Sequence, residues 1–315
     1  MLRLAMLGMV DGNAHPYSWS AILNGYDAAE MSMIPPEFKG IPEYLSNQPD
    51  HEFPIPDARV THIWVDPPYD AHHIARAALI PHILERPEDA IGQVDAVIIA
   101  TDIGSEHVER CRPFVEAGIP VFVDKPLVDN EKDLAVFCAW VQQGKPILSS
   151  SCMRYAKEFL PFRLSTRDLG DVQYAGITTS KSWERYGIHA MEAIYPILGP
   201  GFISARNTGT AERNVVHFKH KNGTDAVVVA SRNMYGGLGV MTLCGTKGSA
   251  TAHFADTFYS FKQQLLDFIR FVRTGARPFD FAETVELMQM LIAARKSRDE
   301  QAREVYLHEI NQAIG

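Results

Sequence analysis

Cysteine is scarce in this chain, with four in 315 residues. Cys111, Cys138, Cys152 and Cys244 are scattered, with neither a C-x-x-C pair nor a matching histidine spacing. They read as reduced, mostly buried thiols, and no metal site is expected. Long apolar runs are missing as well: no stretch approaches the roughly 20 residues that cross a bilayer. Met1-Leu2-Arg3-Leu4 leads directly into a strand-like pattern rather than a secretory signal, so a cytoplasmic protein without a membrane partner is expected. Basic runs are also absent and the formal net charge is −8, which argues against nucleic acid. A small-molecule ligand is the remaining expectation.

Apolar content of 46% and charged content of 22% are ordinary for a compact folded chain. The length exceeds what one core of about 250–300 residues usually holds, so two domains are expected, residues 1–150 and 151–315. In the first, apolar runs at Leu2 to Leu7, Val60 to Val65, Val94 to Ala100, Ile119 to Val123 and Pro146 to Ser150 alternate with helical segments. That alternation predicts an α/β fold with a doubly wound parallel sheet of Rossmann type. After Arg154 a single helix, Ala156 to Ser165, gives way to longer strands. Asn222-Gly223 and Gly245-Thr246-Lys247-Gly248 read as hairpin turns between them. Helices over Phe258 to Thr274 and Ala282 to Arg298 follow, and Phe261, Leu265, Phe268 and Val272 recur at core spacing. The second half is therefore expected to be α+β, built on a mostly antiparallel open sheet.

Three strand ends carry chemistry. After the first strand, Gly8 and Gly12 form a turn, but Val10 and Asn13 stand where the dinucleotide fingerprint G-x-G-x-x-G requires glycine. An ordinary glycine turn and a phosphate-binding turn both fit. The second strand ends in Asp66, with Pro67-Pro68 read as starting a helix through Ala78. An acid there can hold ribose hydroxyls and repel a 2′-phosphate, favouring NAD over NADP, or can simply cap the helix. Between these strands, residues 27–58 contain six prolines and read as an irregular insertion that begins on the face opposite the crevice, packing or contacting another subunit. The alternative is a loop folded over the neighbouring site. The fourth apolar run ends in Asp124-Lys125-Pro126, placing Lys125 at the carboxyl edge of the sheet, where open α/β sheets bind ligands.

Val94-Asp95-Ala96-Val97-Ile98-Ile99-Ala100-Thr101, His107 and Ala117-Gly118-Ile119-Pro120-Val121-Phe122-Val123-Asp124-Lys125-Pro126-Leu127 together resemble the glucose-fructose oxidoreductase, inositol dehydrogenase and MocA family. The resemblance extends over nearly the whole chain, and Val305-Tyr306-Leu307 after the last helix is similar to the family's ending. The family pattern has Glu-Lys-Pro where Asp124 stands here. It implies that Lys125 lies beside a nicotinamide and the substrate, and that a histidine of the second domain completes the site. Gly187-Ile188-His189 with Glu192 is similar to the family's Gly-x-His-x-x-Asp, so His189 would be that histidine. At i, i+3 on a helix, Glu192 shares its face and can orient the ring or raise its pKa; a purely structural histidine fits the same spacing. The family's aspartate four residues earlier is replaced by Arg185, which either clamps an anionic group of the substrate or is a surface cation paired with Glu184 or another acid.

The resemblance implies reversible hydride transfer between NAD, less favourably NADP, and an alcohol of a sugar, polyol or sugar acid. Lys125, with a lowered pKa, would share proton transfer with His189. Gly8, Gly12 and Asn13 would present backbone N–H groups to the pyrophosphate, and Asp66 would hold the ribose. Thr101, His107 and Asp124 would line the cofactor crevice. Arg154, Tyr155, Arg185 and His189 would face the substrate. Two rivals remain: a non-catalytic NAD or sugar sensor of the same fold, and an NAD-assisted lyase or glycosidase without net cofactor turnover. Relatives of this fold commonly self-associate, so a homo-oligomer, dimer or tetramer, is expected.

Overall fold

The structure is a computed structural model and describes residues 1–310. Its first sheet is built from β1 (Leu2–Leu7), β2 (Ala58–Trp64), β3 (His82–Ile83), β4 (Ala96–Ile99), β5 (Val121–Val123) and β6 (Ile147–Ser149). All its pairings are parallel, in the order β3-β2-β1-β4-β5-β6. Ala96–Ile99 and Val121–Val123 are buried throughout, as strands covered on both faces must be. The strand order reverses between β1 and β4, so a crevice opens where the chain leaves those two strands.

The helices of this half are α1 (His15–Asn24), α2 (Ala28–Ser32), α3 (Gly40–Ser46), α4 (Ala71–Ala77), α5 (His107–Glu116) and α6 (Glu131–Gln142). Two of them correct the sequence reading. Residues 27–58 are not irregular throughout: the Asp27 carboxylate caps α2, accepting from Ala29 N at 2.9 Å and Glu30 N at 3.0 Å. Its prolines fall at helix starts or between helices, as Pro36 does, where a missing N–H costs nothing. Nor does the insertion stay on the far face. Met33 to Pro36 line one cavity with Met9 and Tyr69, which follow β1 and β2 at the carboxyl edge of the sheet. Pro67-Pro68 does not start α4, which begins at Ala71 under an Asp70 cap that accepts from His72 N at 2.9 Å.

The second half opens with a 3-10 turn at Cys152–Tyr155 and α7 (Leu160–Leu164) in place of the single expected helix. Beyond them lie β7 (Val172–Ser180), α8 (Ile188–Leu198), β8 (Phe202–Asn207), β9 (Arg213–His220), β10 (Asp225–Ser231), β11 (Val240–Gly245) and β12 (Ser249–His253). Two long helices, α9 (Thr257–Thr274) and α10 (Phe281–Asp299), precede β13 (Val305–Tyr306). The strands form one seven-stranded sheet, β12-β11-β7-β10-β9-β8-β13, in which only β7 and β10 run parallel. Both expected hairpins occur, between β9 and β10 and between β11 and β12.

Helix α9 crosses back to the first half. Asp256 caps it and Gly275 ends it in the left-handed region at φ +70. Its buried Leu265, Phe268, Ile269 and Phe271 join the core under β1 and α1, with the Phe268 ring 5.4 Å from that of Phe122 on β5. Each such aromatic contributes about 1.5–3 kcal/mol by leaving water. The segment 27–58 packs on the same helix through Phe53 against Phe258 and an ion pair from Lys262 to Glu52 at 2.5 Å.

Candidate active site

Lys125 leaves the end of β5 and is buried, with 3% of its surface exposed. Its ammonium donates to Asp102 Oδ2 at 3.1 Å and to the Arg185 carbonyl at 3.3 Å, and lies 4.6 Å from the centre of the Tyr186 ring. The other Asp102 oxygen accepts from Arg185 Nη2 at 2.5 Å. Burial works to raise the Asp102 pKa, but the Lys125 ammonium and the Arg185 guanidinium overcome it and hold the carboxyl well below its usual range. For Lys125, burial pulls the pKa down and the Asp102 charge pushes it further up, so the net direction is upward. The expected lowering of the Lys125 pKa is thereby corrected: desolvation is present, but a carboxylate faces the amine.

His189 is set in place by the turn before it. Trp183–Gly187 form a single π-helical turn, a local departure that occurs often at functional sites. Trp183 anchors it, fully buried, with its indole N–H donating to the Leu291 carbonyl at 3.0 Å. A Cβ on Gly187 would lie 2.9 Å from that indole, so the turn closes only with glycine there. His189 then opens α8, its Nδ1 2.6 Å from Ser151 Oγ and its ring against Tyr186 at 4.9 Å. Burial, then the nearby Lys125 charge, holds its pKa well below the ordinary value, so the imidazole is neutral.

Three further expectations change here. Glu192 is not hydrogen-bonded to His189: it accepts from Ser151 N at 3.3 Å and pairs with Arg154, while the His189 ring is bonded to Ser151 Oγ. Arg154, expected to face the substrate, has its buried guanidinium paired with Glu192 and with Glu283 at 2.8 Å, over the Phe279 ring at 4.0 Å, and only its Nη2 is left without a hydrogen-bond partner among the described residues. Tyr155 does not line the cavity described next; its phenol is pushed up by burial.

Lys125 and His189 line one cavity of about 150 Å³ together with Asn13, His15, Asp102 and Tyr186. His15 was not anticipated. Its Nδ1 lies within ion-pair distance of Asp124 Oδ2, at 3.0 Å, and the same oxygen accepts a hydrogen bond from Asn13 Nδ2 at 2.8 Å, so Asp124 steadies the turn through a side chain. Phe261, expected only in the core, also lines the cavity, its ring 5.1 Å from that of His15. Cys152 shares the lining with a thiol pushed up to about 12 by burial, which leaves it unreactive.

Along the crevice, a Cβ on Gly8 would lie 2.7 Å from the Thr101 methyl, so glycine alone lets β1 and β4 approach there. Gly12 belongs to the cavity lining. Asp66 is not a helix cap: it accepts from Met9 N at 3.1 Å and from both Arg110 guanidinium nitrogens at 2.9 and 3.2 Å. His107 is fully buried, its ring nitrogens 3.0 Å from the Leu127 carbonyl and 2.9 Å from the Thr101 carbonyl. It ties two loops together. Arg185 reaches across to the Asp11 carbonyl at 2.7 Å, and its neighbour Glu184 pairs with Arg298. A dinucleotide fits one further observation: the Thr101 hydroxyl, at the switch point, is buried without a hydrogen-bond partner among the described residues. The donor pattern of the turn is weaker, because the Asn13 backbone N–H already donates to the Val10 carbonyl at 3.0 Å.

No family model matches the chain, and no curated protein matches it. Solved structures do. The scyllo-inositol dehydrogenase of Lactobacillus casei is similar with a TM-score of 0.77 over 98% of each chain at 12% identity. The myo-inositol 2-dehydrogenase of Lactobacillus plantarum is similar with a TM-score of 0.73 over 97% of this chain and 99% of that one, at 15% identity. This chain has the fold of the inositol dehydrogenases. A third similar structure is the myo-inositol dehydrogenase of Lactobacillus casei in complex with NAD(H) and myo-inositol, at 13% identity and a TM-score of 0.73, covering 97% and 96% of the two chains. Among the described residues no helix is long and apolar enough to cross a membrane, and no cluster of His, Cys, Asp and Glu could hold a metal.

Proposed function

We propose that this chain is a nicotinamide-dependent dehydrogenase acting on an alcohol of a polyol or sugar-like substrate. The observation that carries the reading is the convergence of a charged Lys125 and a neutral His189 on one cavity at the carboxyl edge of a Rossmann sheet. It is supported by the fold shared with structures holding NAD(H) and an inositol.

The nicotinamide supplies the hydride acceptor when bound. Thr101 and Asp66 would hold the cofactor from the ends of β4 and β2, with NAD favoured by Asp66 even though Arg110 offsets part of its charge. His189 takes the hydroxyl proton: with Nδ1–H donating to Ser151 Oγ, the other ring nitrogen keeps its lone pair. Lys125 donates to the substrate oxygen, and Asp102 keeps the ammonium charged while the oxygen becomes more basic. Proton uptake and oxygen orientation thus fall to different residues.

The test follows nicotinamide absorbance and product formation together, with NAD or NADP and a panel of polyols, sugars and sugar acids. Net reduction supports the dehydrogenase. Product without net reduction identifies transient oxidation, and binding without product identifies a sensor. Lys125→Met is expected to lower turnover by orders of magnitude with NAD affinity within a few-fold; unchanged turnover would remove Lys125 from the mechanism.

A further inference from the structure

A second cavity of about 280 Å³ adjoins the first and shares Gly12 and Tyr186 with it. Its charged lining is three cations, Lys181, Arg185 and Arg232, against one acid, Asp11. Arg232 is forked onto Glu212 at 2.9 and 3.0 Å, and Arg185 is held by Asp102 but keeps a buried Nε with no partner. Lys181 differs from both. Its ammonium donates to the Tyr186 hydroxyl at 2.6 Å and the Gly12 carbonyl at 3.3 Å. It has no carboxylate within ion-pair distance among the described residues. Its backbone stands in the left-handed region at φ +59, a conformation a lysine seldom takes and one that recurs at ligand clamps. Tyr186 is therefore a shared wall, with the Lys125 ammonium 4.6 Å and the Lys181 ammonium 4.4 Å from its ring centre.

We propose that this second cavity binds an anionic oxygen group, a carboxylate or a phosphate, carried by the substrate whose reacting alcohol occupies the first cavity. An unpaired ammonium, a guanidinium with an unfilled N–H and a second guanidinium around one pocket match that chemistry. They would favour an acidic sugar derivative over a neutral polyol. The same chemistry is present in the diphosphate of a dinucleotide, and the experiment separates the two sources. The word "substrate" rests on the function proposed above; the anion site does not.

The whole protein is titrated by calorimetry at low salt with glucuronate and, separately, with inorganic pyrophosphate. Saturable binding is expected for at least one of them, weakened tenfold or more in the Lys181→Ala, Arg232→Ala double variant. Lys219→Ala, on β9 outside the cavity lining and paired with Glu304, serves as the control and should bind like the parent. Circular dichroism establishes that the variants fold, and Lys181→Arg should retain binding. Steady-state kinetics then assign the source: a KM raised tenfold for a sugar acid and unchanged for the matching neutral sugar marks a substrate anion, whereas a raised NAD dissociation constant with both substrates marks the diphosphate. Absence of saturable binding in the parent, or equal binding in the double variant, overturns the proposal. Saturable anion binding with no nicotinamide reduction on any substrate overturns the dehydrogenase reading and leaves the site standing.

Discussion

Asp102 and Lys125 form a buried ion pair, 3.1 Å from carboxylate to ammonium, at the point where the order of the first sheet reverses. The carboxylate is shared with Arg185 from the other half of the chain, so one acid fixes two cations at the crevice. Neither charge is solvated, and each depends on the other to remain ionised.

Asp102→Asn removes that acid. Breaking a buried pair typically costs about 3–5 kcal/mol, to be read as a lowered urea midpoint. With Asp102 gone, burial is left with less opposition and the Lys125 pKa falls. The expected kinetic signature is a new alkaline fall in kcat/KM, absent from the parent below about pH 10, the ordinary lysine range.

His189 sets the acid side. Its folded pKa lies below the ordinary 6.5, so kcat/KM for alcohol oxidation should stay level down through pH 6.5 and decline only in more acidic solution. For stability the unfolded chain takes up a proton near 6.5 that the folded chain refuses. The contribution is therefore whole above 6.5 and is lost as pH falls from 6.5 to the folded value. His189→Gln should flatten that loss in urea titrations across pH and reduce turnover by about 10²–10⁴-fold, the usual weight of a general base.

Gly187→Ala places a methyl 2.9 Å from the Trp183 indole. The turn must shift or the indole must lose its bond to Leu291, an overpacking cost of about 1–3 kcal/mol. Because the turn carries Tyr186 and His189, kcat should fall alongside the thermal midpoint.

Arg154→Ala separates structure from catalysis. It leaves Glu192 and Glu283 without their shared cation, so the urea midpoint should drop strongly while KM for the folded enzyme stays within a few-fold. A large KM change at unaltered stability would return Arg154 to the substrate.

The strands of the first sheet were legible because buried parallel strands are continuous apolar runs, and the position of Lys125 followed from the run that precedes it. His189 was legible through its Gly187 neighbour. What resisted reading were pairings across long sequence separations. The sign of the Lys125 pKa turns on Asp102, 23 residues earlier. Arg185 meets that acid across 83 residues, and Asn13 meets Asp124 across 111. The insertion was misread for a local reason: proline breaks helices from within, but here it stands in a helix's first turn, as Pro42 does in α3, or outside the helices. Strand β12, Ser-Ala-Thr-Ala-His, has no large apolar side chain and was signalled only by the hairpin turn that precedes it.

The docking of α9 beneath β1 and β5 means that a helix from late in the chain belongs to the core of the first half. It cannot leave that core without exposing its phenylalanines, so α9 travels with the first sheet in any motion of the protein. For the same reason the amino-terminal half expressed alone would present a bare apolar stripe and should aggregate, although its sheet is complete.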